Sequence, residues 1–353
     1  MSFIRPIKSA LVVGSNGIVG RNLVEKVLQR GGVGVTVLAR GHANVQPGVQ
    51  TVTVDLESAT ESRAALAGIG SIDTVFFTAL AVRPTPQEQI QPNLQLLENS
   101  VGPLLERSSG THVCVVQGTK WYGSHRGPYK TPARETDARD MVENFYHVQH
   151  DWLSAKARET GNSWSTARPH FIGGFNTGNP NNLIMALGVY AAIQKSAGEP
   201  LHFPGTVACF NSLSTMTNAS LLADAMVWMA TDRRCHFEDF NVTNGDYFRW
   251  CNLWPQLAEA FAMQVGEVRT VRLDETMADK SGVWSAITAE SGLKPVPFDK
   301  LVSWSWADFM FRGDWDDMSD STKARSLGFQ QCRNTEQDIL DLIEIYRRQR
   351  VLP

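Results

Sequence analysis

The chain has 353 residues, a formal net charge of −3 and 42% apolar residues, values of an ordinary soluble globular protein large enough for a nucleotide-binding domain plus a second lobe. That charge balance argues against nucleic acid or an anionic membrane as partner, and no apolar run approaches the ~18 residues that span a bilayer. Five scattered cysteines (Cys114, Cys209, Cys235, Cys251 and Cys332) without CxxC spacing argue against a disulfide framework or a zinc site and fit reduced thiols, and residues 1–6 lead into a strand-like run without a secretory stretch, so a cytoplasmic protein is expected.

Residues 7–13 form an apolar run with a β-branched end, read as a buried strand. Gly14-Ser15-Asn16-Gly17-Ile18-Val19-Gly20 follows at once, and residues 21–30 show helical spacing. Strand, glycine-rich turn and helix stand in the order that a dinucleotide fold requires. The glycines have GxxGxxG spacing: Gly14 makes the turn, Gly17 lets the backbone approach a pyrophosphate, and Gly20 lets helix and strand pack closely. Asn16, Ile18 and Val19 fall within the same expected cradle.

The second strand, residues 35–38, leads through Ala39 to Arg40. An NAD-selecting fold places an acid near this point for the ribose 2′-hydroxyl. A guanidinium there suits a 2′-phosphate and stacks on adenine, so NADP(H) is preferred over NAD(H). Residues 49–54 form the third strand. Asp55, followed by Leu56, can either meet the adenine amine or cap the helix beginning near residues 58–60. Residues 74–78 form the fourth strand, and Thr78 and Ala79 at its end would pass the nicotinamide side. A polar loop with Pro84 and Pro86 precedes a helix over 87–107, residues 113–116 form the fifth strand, a helix runs over 143–159, and 165–168 form a sixth strand ended by Pro169.

This alternation predicts an α/β fold, a Rossmann-type doubly wound parallel sheet, with a smaller, mainly helical C-terminal lobe. The expected division is a dinucleotide-binding part over 1–172, with a return from about 208–248, and a substrate lobe over 173–207 and 249–353. The tryptophan-rich remainder suggests a compact lobe with an apolar cavity; ordinary core packing accounts for most such residues.

The chemistry is expected where the fifth strand meets the next helix, because ligands in open α/β sheets bind beyond the carboxyl ends of the strands. Hydride delivered to an unsaturated carbonyl compound leaves negative charge on oxygen, which needs a donor such as Tyr146. The usual partner is a lysine four residues on, one helical turn away. Here that position holds His150, so the YxxxK pairing is absent and Lys120, just past the fifth strand, is the candidate cation.

Three groups of residues carry a specific resemblance: the glycine turn; Gln117-Gly118-Thr119-Lys120-Trp121-Tyr122-Gly123 with Asn144-Phe145-Tyr146; and Arg168-Pro169, Ile172-Gly173-Gly174-Phe175 and the run from Phe240 to Trp250. Together they resemble the progesterone 5β-reductase/iridoid synthase-like (PRISE) family of atypical extended short-chain dehydrogenases/reductases. The resemblance covers essentially the whole chain. It implies NADPH-dependent reduction of activated C=C bonds in small to medium apolar enones and enals, with Tyr146 and Lys120 as the catalytic pair. Gln117, Lys120, Tyr146 and Ile172 join the expected cofactor contacts. Trp121, Tyr122, Phe175, Asn182, Phe210 and Trp284 are weaker candidates for the substrate pocket. Two departures stand out: Trp121 replaces a histidine the family often carries, and Gly41 replaces the second of two adjacent arginines. A carbonyl/alcohol oxidoreductase or epimerase, a cofactor-holding cyclase and an NADP-sensing regulator are the alternative readings. A small-molecule substrate is the expected partner, and a homodimer is compatible with the chain.

Overall fold

The computed structural model describes residues 3–41 and 46–353. Six strands alternate with helices through the first half: β1 (Ser9–Val13), β2 (Gly34–Ala39), β3 (Gln50–Thr53), β4 (Thr74–Phe77), β5 (His112–Val116) and β6 (Ser163–Pro169). The intervening helices are α1 (Ile18–Gln29), α2 (Ala59–Ala67), α3 (Ile90–Arg107) and α4 (Phe145–Thr160). The seven-stranded sheet has the order β3-β2-β1-β4-β5-β6 outward from β3, closed on the far edge by the strand Glu238–Val242. Every pairing in it is parallel. Strand order reverses between β1 and β4, which opens the crevice where α/β sheets bind ligands.

The central strands are buried end to end: β4 wholly, and β1 and β5 but for one terminal residue each. Continuous apolar strands of this kind need cover on both faces. On one face α1 and the helix Ala219–Thr231 bury Leu23, Val27, Leu222 and Met226 against Val12 and Phe76. On the other, α2, α3 and α4 bury Leu66, Leu97, Leu104 and Leu153 against Leu11, Val75 and Val113. A third core lies in the C-terminal half, where the helix Leu183–Ser196 packs with Trp254, Phe311, Ile343 and Tyr346.

Several boundaries differ from the sequence reading for local reasons. The first helix starts at Ile18 rather than 21, because Gly17 is already its N-cap. The third begins at Ile90, since Thr85 and Glu88 exchange side-chain-to-backbone hydrogen bonds in a turn that precedes it. Ser58, not Asp55, caps α2, its Oγ accepting from the Glu61 amide. No described helix is long and apolar enough to cross a membrane.

At the outset of β5, His112 is completely buried, stacks on His236 at 4.7 Å between ring centroids and shares hydrogen bonds with Ser163 and Ser165. Burial, with the neighbouring His236, holds its pKa well below the ordinary value; His236 is lowered by burial too. Below about pH 6.5 the unfolded chain takes up protons that these folded imidazoles refuse, so stability is lost as pH falls through that value. The thermal midpoint is expected to drop by about 2–4 °C or more between pH 7.5 and 5.5, and His112→Gln should flatten that slope. A midpoint insensitive to pH over this range would contradict the assignment.

Candidate active site

The β1–α1 turn is shaped by contacts that leave no room for side chains. Gly14 has φ +89°, and a Cβ there would lie 2.8 Å from the Ala79 amide nitrogen. A Cβ on Gly20 would lie 2.2 Å from the Gly14 carbonyl oxygen, a backbone atom that cannot step aside. Gly17 is less crowded: a Cβ there would meet only the Gly14 carbonyl oxygen, at an ordinary contact distance of 3.4 Å, at the head of α1. The helix starts with no capping side chain and no acid in its first turn. That leaves first-turn amides and the positive end of the helix dipole to meet an anion. The pyrophosphate of a dinucleotide fits this cradle. Ile18 and Val19 bury their side chains beneath it, and the Asn16 carbonyl accepts from Asn176 Nδ2 at 2.9 Å.

The neighbouring strand ends supply the rest of the crevice. Thr78 ties β4 to β1, its amide and hydroxyl both reaching the Val13 carbonyl, at 2.9 and 2.8 Å. Ala79 lies against Gly14. Arg40 is exposed at the end of β2 and forms no ion pair among the described residues. Asp55 is exposed, one carboxylate oxygen taking the Glu57 amide at 3.0 Å. Leu56 is turned into the core, and its carbonyl accepts from Asn99; its side chain is therefore not part of the cleft wall.

The stretch after β5 folds directly onto the head of α4. Gln117 donates its Nε2 to the Tyr146 carbonyl at 3.1 Å. Residues Thr119–Tyr122 form a 3-10 turn closed by Gly123 at φ +85°. Asn144 does two jobs. Its Oδ1 caps α4 by accepting from the Tyr146 amide at 3.0 Å, and its Nδ2 donates to the Lys120 carbonyl at 3.0 Å. The Tyr146 hydroxyl lies over Gly118: a Cβ there would be 3.2 Å from it. Lys120 and Tyr146, 26 residues apart in sequence, are thus carried on one rigid junction. Burial raises the Tyr146 pKa and lowers that of Lys120. The phenol is therefore a neutral donor and the lysine a cation poised to give up its proton more readily than usual.

His150, where a YxxxK lysine would stand, turns elsewhere. Its Nε2 is 3.4 Å from Asp239 and its ring packs on Trp121 and Trp164. Ile172 is half-buried on β7 (Phe171–Gly173), which pairs with Met216–Asn218, and Gly174 next to it presses on Ile18.

The substrate candidates divide sharply. Trp121 points inward, buried beneath the Arg168 guanidinium at 3.8 Å. Tyr122 is buried too, donating to Asn241 at 2.8 Å, with its pKa pushed up to about 12 by burial. Asn182 is fully buried; it caps the helix Leu183–Ser196 and bonds the Tyr346 hydroxyl. Trp284 is core, and Phe210 packs on Phe203 at 4.8 Å. Phe175 is half-buried against Tyr346 and faces a surface cleft with Arg21 and Leu342, on the outer side of α1. None of the six has a placement that assigns it to a substrate wall.

Two residues the sequence reading passed over help build the site. Asn93 on α3 clamps Ala81, accepting from its amide and donating to its carbonyl, both at 2.8 Å, and Gln149 on α4 donates to the Asn93 carbonyl at 2.8 Å. The loop after β4 is thereby fixed to the helix that carries Tyr146. Leu80 and Val82 on either side of Ala81 remain exposed. Arg168 is the other, and only the motif Arg168-Pro169 pointed toward it.

Solved structures share the architecture. An epimerase from Burkholderia cenocepacia superposes with a TM-score of 0.68 at 16% identity, covering 98% of this chain and 99% of that one. The UDP-glucose 4-epimerase of Thermus thermophilus, solved with NAD, gives 0.66 at 18% identity, covering 96% and 99%. Sequence similarity is more specific. An (S)-8-oxocitronellyl enol synthase of Camptotheca acuminata is 32% identical, with 98% of this chain and 93% of the relative aligned. The 3-oxo-Delta(4,5)-steroid 5-beta-reductase of Arabidopsis thaliana is 30% identical, over 98% and 92%. The model of the PRISE-like Rossmann-fold domain matches residues 41–353. With the parallel sheet, the glycine cradle and the Lys120–Tyr146 junction in place, the chain belongs to the PRISE-like family of Rossmann-fold proteins.

Proposed function

We propose that the protein is an NADPH-dependent reductase of activated C=C bonds, acting on a small to medium apolar enone or enal. The observation that carries this reading is the junction at α4: the Asn144 side chain bonds both the Lys120 carbonyl and the Tyr146 amide. The names of the relatives agree with it, since one reduces a 3-oxo-Δ4,5-steroid and another forms an enol. Bound NADPH would supply the hydride.

The protein's own part is to hold the substrate carbonyl against the Tyr146 hydroxyl. As the β-carbon gains hydride, charge moves onto the carbonyl oxygen, and a donor already aimed there stabilises the enolate without reorganising. Lys120 supplies the compensating positive charge and a donor for cofactor ribose hydroxyls. The α-carbon then takes a proton from water. Gly14, Gly17 and Gly20 hold the pyrophosphate, and Arg40 takes the 2′-phosphate.

A carbonyl/alcohol oxidoreductase is the second reading, and the absence of a lysine at position 150 counts against it. The deciding experiment follows NADPH oxidation over a panel of enals, cyclic enones and steroid enones, with the matching saturated ketones as controls. Turnover of enones alone is expected; turnover of the ketones alone would sink the proposal. Titration with both cofactors tests Arg40 separately. NADPH is expected to bind at least about tenfold tighter than NADH, the scale of one well-placed charge pair, and equal affinities would remove Arg40 from the site.

A further inference from the structure

Beneath the Lys120 turn lies a buried charge the reaction does not use. Arg168, on β6, is wholly inaccessible to solvent. Its Nη2 is 3.0 Å from Asp239 Oδ2, and Asp239 also meets His150 and Thr166. The remaining donors go to the turn. Nε reaches Gln117 Oε1 at 3.2 Å, and Nη1 reaches the Tyr122 hydroxyl at 3.2 Å. The central carbon of the guanidinium lies over the Trp121 ring, 3.8 Å from its centroid. Among the described residues the buried Trp121 indole N–H has no hydrogen-bond partner, so ring contacts orient it: Arg168 on its face, with His147 and His150 beside it. One side chain therefore touches three of the six residues from Gln117 to Tyr122, on both sides of Lys120. Through Gln117, whose amide nitrogen donates to the Tyr146 carbonyl, it also reaches the first turn of α4.

We propose that Arg168 is a positioning residue that presents Lys120, and through Gln117 also Tyr146, to the reacting centre, with Asp239 neutralising its charge. The inference rests on the enone-reductase reading only for its activity readout. A lysine at 168 would satisfy Asp239 but could neither fork between Gln117 and Tyr122 nor stack flat on Trp121. The charge requirement and the positioning requirement can thus be separated.

Lys120 offers a readout that needs no turnover. In place, burial lowers its pKa; its surroundings include His125, whose ring feels the lysine's charge, and beyond His125 the groups Asp140, Arg126 and His147. A turn that has lost its anchor lets the ammonium reach water, and the pKa returns toward the ordinary value. A role in folding stability alone would leave that value unchanged in any variant that folds.

The test compares the wild type with Arg168→Lys, Arg168→Met and Gln117→Leu, the last removing one contact and leaving Arg168 paired with Asp239. The pH dependence of Lys120 acetylation is followed by mass spectrometry on the free protein, beside thermal midpoints and, with NADPH, kcat and KM on the best enone. In Arg168→Lys the labelling midpoint is expected to rise toward the ordinary lysine value, and kcat to fall about 10–100-fold with KM within about threefold, as for a displaced catalytic group. Gln117→Leu is expected to move the midpoint the same way by less, and it carries the test if Arg168→Met does not fold. Folded variants with an unchanged labelling midpoint and unchanged kcat would overturn the proposal. An absence of enone turnover in the wild type would fall on the proposed function instead and leave the labelling result standing.

Discussion

Tyr146→Phe is expected to lower kcat for enone reduction by about 10²–10³-fold, the cost of removing one preorganised donor to a developing oxyanion, with NADPH affinity within about threefold of wild type. The substitution removes a single hydroxyl. The ring keeps its contacts with Phe145, at 4.3 Å between centroids, and with the Trp121, Tyr122 and Ala133 cluster. The backbone bonds that tie the residue to Asn144 and Gln117 involve its amide and carbonyl, which the change leaves alone. Thermal stability should therefore stay near that of the wild type, and any loss of rate can be assigned to the donor. Burial raises the phenol pKa, so the proton is in place across the whole neutral range and activity should show no alkaline decline attributable to Tyr146 below pH ~10. A kcat loss smaller than about fivefold would mean that another group faces the carbonyl oxygen.

What the sequence could reveal depended on whether the cause was local. The glycine turn was legible because Gly14 and Gly20 answer to backbone atoms only a few residues away or on the adjoining strand. The alternation of strands and helices was legible because fully buried parallel strands write continuous apolar runs. Lys120 and Tyr146 stand out as candidates through a missing lysine, again a local spacing. Nothing in a sequence says which way the Trp121 ring on a one-turn helix points; its burial under Arg168, 47 residues on, which pairs with Asp239, is a long-range contact. A buried asparagine and a substrate-binding asparagine look alike in sequence, and Asn182 is distinguished only by the Tyr346 hydroxyl, 164 residues away, that the fold brings to it. The clamp of Asn93 on Ala81 left no trace either, since a helical asparagine has no pattern that marks it as a loop anchor. Long-range polar contacts were the blind spot, and they are what give this site its rigidity.

Lys120→Met is expected to do two opposite things. Burial lowers the Lys120 pKa, and among the described residues no carboxylate forms an ion pair with it. Holding the cation in the site is therefore a cost to the folded state. The sign follows from proton counting. Between the depressed folded value and the ordinary value of 10.5 the unfolded chain carries a proton that the folded one has released, so stability rises as pH climbs through that window, and at neutral pH the full penalty is present. Methionine has a similar length and no charge, so the variant should melt at a higher temperature than the wild type at pH 7. Its activity should fall, with kcat reduced about 10²-fold because the enolate loses its nearest positive charge. The alkaline limb of the wild-type rate profile, set by loss of the Lys120 proton at a pH below the usual lysine range, should disappear with it. Differential scanning fluorimetry and a pH series of kcat measure both halves on the same sample. A variant that is less stable than the wild type, or one whose alkaline limb is unchanged, would show that Lys120 is a structural cation. The predicted pairing of higher stability with lower activity is what a site built around an uncompensated charge must show, because the energy held there by folding is relieved only when the oxyanion forms.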